Sequence, residues 1–418
     1  MPAAVLVLPK FGYQNDAFLA AARKLGVDVI AASDDCHQLA EQWQTETVVW
    51  RSSDPARAAE EIAMEVAGRA PAAILGVDDR TAVIASFAAE RLGLPHNSPA
   101  AVAAARNKAL SRSRLSEAGV PVPRFQVLEL ETTPAGLEAI LASAPYPCVA
   151  KPLSLSASRG VIRANTPDEL REAIARIARL LRSPEIAQRR DADSKRFIIE
   201  EFVPGQEIAL EGLLRKGDLR VLALFDKPDP LDGPFFEETL YVTPSRHPRD
   251  LQLAVALAAS EGCRALGLVE GAVHAELRLS PQGPRILEIA ARSIGGLCGR
   301  ALRFGVGVTL EELVLRHALG LGTPAPREEA AAGVLMLPIP ARGTLTEVRG
   351  VEKARLVPLI EDVVITAHLR EELVPLPEGA SYLGFVFARG ESPQAVEAAL
   401  RAAGEHIHAV VTPRLPIT

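Results

Sequence analysis

The sequence predicts a multidomain protein of mixed α/β and α+β class, and three observations carry that prediction. The 418 residues exceed the size of a single ordinary domain. Short apolar runs alternate with helix-period segments through residues 1–105. A proline-rich break at Thr323–Pro326 then precedes a tail of different pattern. Hydrophobic residues make up 48% and charged residues 23%, enough apolar material for packed cores and too much for disorder. Aromatics are only 4%, so those cores must be aliphatic.

Val5–Leu8 is a continuous apolar run, the pattern of a strand buried on both faces of a parallel sheet. Asp16–Leu25 has helical spacing and stops at Gly26, a left-handed cap. Val27–Ala31 reads as a strand, Ala58–Ala67 as a helix, Ala73–Val77 as a strand, and Thr81–Leu92 as a helix closed by Gly93. Such alternation predicts right-handed βαβ units and a doubly wound first domain, residues 1–105. A second domain, 106–325, begins with a helix from Arg106 through Leu115, then a strand at Phe125–Leu130 and a helix at Leu137–Ala142. The strand Cys148–Lys151 leads into the loop Pro152–Arg159, followed by an amphipathic helix, Glu169–Leu181, and a charged segment, Glu185–Lys195. Strands at Phe197–Glu201 and Glu207–Arg215 flank a Pro204-Gly205 turn. Leu251–Leu266 is a long helix, and Ala272–Leu279 is expected to pair with Arg285–Ala290 across Ser280-Pro281-Gln282-Gly283. Residues 326–418 hold short strands and a final helix, Pro393–Ala403, and form a small C-terminal α+β domain.

Composition excludes several classes of function. The 46 basic and 52 acidic side chains give a net charge of -6, so no basic surplus marks a nucleic-acid surface. The charge-free stretch Leu92–Ala105 contains two prolines and is too short to span a bilayer. The first nine residues are apolar, but no basic segment precedes them and Lys10 follows, which suits a strand better than a leader. Cys36, Cys148, Cys263 and Cys298 lie far apart without CxxC spacing and imply neither a disulfide framework nor a zinc site. A cytoplasmic protein with no nucleic-acid or membrane partner is expected.

The candidate chemistry rests on carboxylates and lysines. Glu276 and Glu288 lie on strands joined by a tight turn, each after an apolar residue, so a modest register sets them side by side. Two adjacent carboxylates repel unless a cation neutralises them, and hard oxygen ligands suit magnesium with phosphates; equally, both could be solvated strand residues. Phe197–Glu207 is an apolar strand ending in Glu200 and Glu201 and turning through Val203-Pro204-Gly205. That arrangement suits an adenine ring, with Glu207 near a ribose, or else is an acidic hairpin. Lys151 ends a strand before a loop of small residues containing Ser156, Ser158 and Gly160. Hydroxyls and backbone N–H groups in such a loop can fold over phosphate oxygens.

The order Lys108, Lys151 with its loop, Glu200-Glu201, Glu207, Glu276 and Glu288 closely resembles the ATP-grasp superfamily over residues 1–325. The stretch from Leu92 to Phe125 resembles that superfamily's entry into its nucleotide-binding fold. The resemblance implies an ATP-grasp fold with a mobile lid at about 125–200. Lys108, Lys151, Ser156, Ser158 and Gly160 would meet phosphates, Glu200 the adenine amino group, the backbone of Glu201 and Val203 the ring edge, and Glu207 the ribose. Glu276 and Glu288 would carry magnesium, or manganese. Two departures stand out: the phosphate loop is serine-rich, with Gly160 its only glycine, and Ala290 replaces a common asparagine metal ligand.

The string Glu288-Ile289-Ala290-Ala291-Arg292 resembles the E-x-A-A-R form of the L-amino-acid ligases, as do His274-Ala275-Glu276 and the segment Phe235–Thr239. The resemblance implies an ATP-dependent carboxylate–amine ligase that joins two L-amino acids through an acyl phosphate and releases ADP and phosphate. Arg292 would be catalytic, Glu238 and His274 would contact substrate, and Gly295 and Gly296 would border its side chains. The partners are then a small carboxylate and a small amine, and a homodimer is compatible with the sequence. Two alternatives are a biotin-carboxylase-like enzyme and a catalytically inactive nucleotide-binding protein.

Overall fold

The computed structural model describes residues 3–10, 12–34, 43, 45–188, 191–322 and 326–413. Val5, Leu6 and Val7 are fully buried because Ala3–Val7 lies inside a four-stranded parallel sheet. Its neighbours are Asp28–Ser33 on one side and Ala73–Gly76 on the other, with Glu46–Val49 at the edge. Helices Asn15–Leu25, Pro55–Val66 and Asp79–Leu92 accompany this sheet, and Gly26 and Gly93 cap the first and third with φ of 64° and 67°. The third helix starts where it does because the Asp78 side chain accepts from the Thr81 N–H in a capping box. That cap sets Asp78 and Asp79 at the open end of the sheet.

A second unit is an antiparallel sheet in the order Phe125–Glu129, Arg196–Glu201, Cys148–Pro152, Ile162–Ala164. Helices Pro134–Ser143 and Pro167–Leu181 cover it, burying Leu141, Leu170, Ile177 and Phe197. The charged segment after them contains the one-turn helix Pro184–Ala187 and the 3-10 turn Ala192–Lys195; residues 189–190 within it lie outside the described residues.

The largest element is an eight-stranded antiparallel sheet. Its order is Gly283–Ala290, Glu270–Ser280, Gln206–Arg215, Asp218–Asp226, Leu240–Thr243, Ala331–Leu337, Gly384–Gly390, Ile360–Ile365. Glu270–Ser280 and Gly283–Ala290 pair as the tight turn predicts. Two strands, Asp218–Asp226 and Leu240–Thr243, have no counterpart in the sequence reading. The strands flanking Pro204-Gly205 do not form a hairpin: Arg196–Glu201 belongs to the smaller sheet and Gln206–Arg215 to the larger. Gly205 makes that crossing possible, because its φ is 114° and a Cβ there would sit 2.2 Å from the Leu279 carbonyl oxygen. The large sheet also continues past residue 325, since Ala331–Leu337 pairs with Leu240–Thr243. Glu372–Leu373, Gly343–Arg349 and His408–Thr412 make a small separate sheet. Helix Pro393–Gly404 packs on Ala331–Leu337 and Gly384–Gly390 through Val396, Leu400 and Ala403.

Cys148, Cys263 and Cys298 are buried free thiols, and Cys36 falls outside the described residues. Among the described residues, no helix is long and apolar enough to cross a membrane.

Candidate active site

A cavity of about 370 Å³ opens where the three sheets meet. Asp78 and Asp79 reach it from the parallel sheet, Lys151, Ser156 and Ser158 from the smaller antiparallel sheet, and Glu207, His274, Glu276, Glu288 and Arg292 from the large one. Ala380 and Tyr382 close it from the C-terminal part. Of the residues singled out in the sequence, all but Gly160 line this cavity. Gly160 turns away: its N–H donates to the Pro377 carbonyl at 2.7 Å, so that donor is not open to a phosphate.

Behind the carboxylates that line the cavity stands Lys227, which sequence reading missed. It is 3% exposed, and its Nζ donates to Glu207 Oε1 at 2.6 Å, to Glu276 Oε1 at 3.0 Å, and to Glu238. Oxygens of these three carboxylates all lie within 4.8 Å of one another. Burial alone would lower the lysine pKa, but the charges of Glu207, Glu238 and Glu276 hold it well above the usual value. Glu238 is pushed up to about 7 by burial and by the charge of Glu276, against the pull of Lys227. Glu276 goes the other way: burial would raise it, but Lys227 and His274 keep it well below the usual carboxylate range. Of this pair, Glu238 is therefore the one that takes up a proton first as pH falls.

Glu276 and Glu288 face each other directly across their strands, with an irregularity just after Glu276. The three-carboxylate cluster nevertheless includes Glu276 and not Glu288. Glu288 instead acts on Lys108, whose pKa burial lowers against its pull, and adds to the rise that Asp79 gives Arg292. His274 bridges Glu211 Oε1, 2.5 Å from its Nδ1, and Glu276 Oε1, 3.4 Å from its Nε2. It therefore orients Glu276 rather than Glu238. Burial would lower its pKa, but the two carboxylates lift it to about 9, so the ring is cationic near neutrality. Glu211, fully buried in a strand, is a second residue the sequence reading missed.

On the other side of the cavity, Glu200 is 1% exposed and paired with Arg112 Nε and Lys151 Nζ, both at 2.6 Å. Burial would raise its pKa, yet these two cations hold it at about 2. Its carboxylate is thus taken by cations and is not open to an adenine amino group. The Glu201 N–H is also occupied, donating to the Arg124 carbonyl at 2.8 Å. The Val203 N–H has no protein acceptor among the described residues, so it remains as a ring-edge donor. Arg278, 3% exposed, fixes this crossing by donating to the Val203 carbonyl at 3.2 Å and the Gly205 carbonyl at 3.3 Å, while its Nε lies 3.4 Å from Glu207. Lys108 is half-buried and donates to the Leu155 carbonyl at 2.7 Å, which anchors the serine-rich loop over the cavity.

Arg292 is held in a two-pronged grip. Its Nε and Nη2 donate to the two carboxylate oxygens of Asp79 at 2.9 and 3.0 Å, and Nη1 donates to the Ser293 carbonyl at 3.0 Å. Asp79, the first residue of its helix, is the third site residue missed in the sequence. The two glycines that follow Arg292 differ. A Cβ on Gly295 would meet nothing within 4 Å, whereas Gly296 has φ of 61° and its Cβ would press on Phe385 at 3.1 Å. Gly295 is the open wall; Gly296 is a backbone device, contrary to the expectation that both border substrate.

Glu238 makes stability depend on pH. Its folded pKa of about 7 exceeds the ordinary 4.5, so its contribution is fully present below 4.5 and is lost as pH rises through 7. Glu238→Gln removes this titration. Its stability relative to the parent, measured by urea unfolding, should therefore increase as pH rises from 5 to 7.5.

Two parts of the chain are similar to ATP-grasp domains. The ATP-grasp domain profile matches residues 144–301, and the ATP-grasp N-terminal domain profile matches residues 19–96. Within that class the chain resembles the L-amino acid ligases, because the profile of L-amino acid ligase C-terminal domain 2 matches residues 335–412. Carnosine synthase 1 of Gallus gallus is 30% identical over 319 residues, covering 71% of this chain and 33% of that protein. Alanine--anticapsin ligase of Bacillus subtilis (strain 168) is 27% identical over 312 residues, covering 70% and 64%. The chain thus spans less than two thirds of these relatives' length in the matched region. The crystal structure of an L-amino acid ligase from Bacillus licheniformis shares the fold with a TM-score of 0.82 at 23% identity, covering 98% of this chain and 99% of that one.

Proposed function

We propose that the protein is an ATP-dependent carboxylate–amine ligase that joins two amino acids through an acyl phosphate. The observation that carries this reading is the gathering of Lys108, Lys151, Glu276, Glu288 and Arg292 around one cavity. A site that only stores a nucleotide needs the lysines; it does not need an oriented arginine opposite them.

In the first step a substrate carboxylate oxygen attacks the γ-phosphorus of ATP, the bond to the β-phosphate oxygen breaks, and ADP leaves. Lys108 and Lys151 supply fixed positive charge where phosphoryl oxygens gather. Lys227, enclosed behind Glu207, Glu238 and Glu276, offsets the negative charge of the carboxylates that face the cavity. In the second step an amine nitrogen attacks the acyl carbon, a proton leaves the nitrogen, and phosphate departs. Arg292 is already oriented by Asp79, so its outer N–H groups can meet the acyl phosphate and the oxyanion without reorganising. Glu238, poised near neutrality, pairs with the substrate ammonium and takes its proton.

Glu276 and Glu288 fit a divalent cation. They are hard oxygen donors paired across two strands, and Glu288 has no hydrogen-bond partner among the described residues. Magnesium held there would neutralise charge on the triphosphate.

An amino-acid panel assayed for ADP release, with products identified by mass, tests the reading; ADP release without an amide product would refute it. Gly295→Trp extends the test to substrate size. The indole would project into open space beside Arg292, so selectivity should shift toward small amino acids. The same size ranking at a lower rate would remove Gly295 from the substrate wall.

A further inference from the structure

Lys227 and Glu238 sit at the two ends of one loop between the strands Asp218–Asp226 and Leu240–Thr243. Both ends of that loop are tied to the outside of the molecule. Before Lys227, buried Asp226 accepts from the Arg246 N–H at 2.9 Å and from its Nε at 3.1 Å. Arg246 Nη1 in turn donates to Glu397 Oε2 at 2.7 Å. After Lys227, Asp229 Oδ2 accepts from the hydroxyl of Thr239, the neighbour of Glu238, at 2.5 Å, and its Oδ1 accepts from Arg401 Nη2 at 2.6 Å. The circuit closes because Glu397 and Arg401 are one turn apart on helix Pro393–Gly404 and pair at 2.8 Å. Charges alternate along the five residues that link the two ends of the loop: Asp226, Arg246, Glu397, Arg401, Asp229.

We propose that Arg401 and Glu397 are positioning residues for the active site, holding from outside the loop that presents Glu238 to the cavity and sets Lys227 behind the cavity carboxylates. No other contact of Asp229 explains its placement: it lies outside the cavity lining, and its two oxygens are divided between the helix and the base of the loop. The Thr239 carbonyl also accepts from the Met336 N–H at 2.7 Å, so the same base is registered against a residue lining the cavity. Arg401 and Asp229 are 44% and 31% exposed, and ion pairs this accessible contribute little to global stability. Their effect is local: they select one position of a loop whose other anchors, Arg278 on the Leu231 carbonyl and Arg163 on the Asp232 carbonyl, bind its middle. The assignment rests on reading the cavity as a nucleotide and ligation site, and the experiment keeps the two apart.

Arg401→Ala, Asp229→Asn, the double variant and Arg401→Lys would be compared with the parent by hydrogen exchange without nucleotide, by melting, and by calorimetric titration with ADP and magnesium. Exchange across residues 227–239 should accelerate in Arg401→Ala and Asp229→Asn, while the strand Gln206–Arg215 keeps its protection. Affinity for ADP should fall about tenfold in each single variant and no further in the double, as for two residues acting through one link. Melting should move by no more than about 2 °C, and Arg401→Lys should recover most of the affinity. Unchanged exchange would overturn the tether. Faster exchange with unchanged ADP affinity would overturn its role at the site, and an affinity loss that tracks a loss of melting temperature would reduce it to bulk stability. A parent protein that binds ADP but ligates no amino acid would count against the ligase reading alone.

Discussion

Arg292→Lys should lower kcat by about a hundredfold while changing affinity for ADP with magnesium by less than about threefold. The guanidinium is planar, and two of its N–H groups are already aligned on Asp79. Its remaining donors therefore point in a fixed direction before substrate arrives. Lysine keeps the charge but is a point donor on a flexible stem and cannot be registered by a carboxylate in this way. What is lost is stabilisation of charge that exists only in the transition state, and ground-state nucleotide binding survives. Initial rates of ADP release and calorimetry on the same samples separate the two. Equal losses in rate and ADP affinity would make Arg292 a nucleotide residue instead.

Lys227→Met should destabilise the fold by about 3–5 kcal/mol at neutral pH, the cost of removing one partner from a buried ionic cluster. The stem of methionine fills the lysine's space, so packing changes little. Three carboxylates would then lie with oxygens inside 4.8 Å, with only Arg278 at Glu207 and His274 at Glu276 to offset them. They would respond by retaining protons, which raises their folded pKa values above the unfolded ones. Stability attached to such groups is present at low pH and lost as pH rises. The deficit of Lys227→Met should therefore shrink between pH 7 and pH 5 in urea unfolding. A variant as stable as the parent at pH 7 would mean that the lysine does not neutralise the cluster.

The parts of the fold legible in the sequence are those where pattern and burial agree. Val5–Leu8 could be read as a central parallel strand because both of its faces are covered, and Gly26 and Gly93 marked helix ends by their backbone conformation. The pairing of Glu276 with Glu288 followed from a short turn and alternation. Lys227 was invisible for a physical reason. It reads as the polar start of the proline-rich turn Pro228–Pro234, and its importance comes from Glu207, Glu238 and Glu276, which only the sheet order brings to it. Glu211 lies in the run Glu207–Leu214, where one acid among apolar residues reads as an edge position until the neighbouring strand supplies His274. The turning of Gly160 away from the cavity depends on Pro377, a contact between distant segments that no local pattern encodes. Glu200 is the instructive case: it lines the cavity, but Arg112 and Lys151 claim its carboxylate.

The central claim is that a substrate carboxylate becomes an acyl phosphate. The amino acid that best stimulates ADP release would be labelled with ¹⁸O in its carboxyl group and incubated with ATP, magnesium and an amine partner. Attack by a carboxylate oxygen on the γ-phosphorus carries that oxygen into the released phosphate, so each amide formed should yield one phosphate bearing a single ¹⁸O. Amide formation accompanied by unlabelled phosphate would contradict the account.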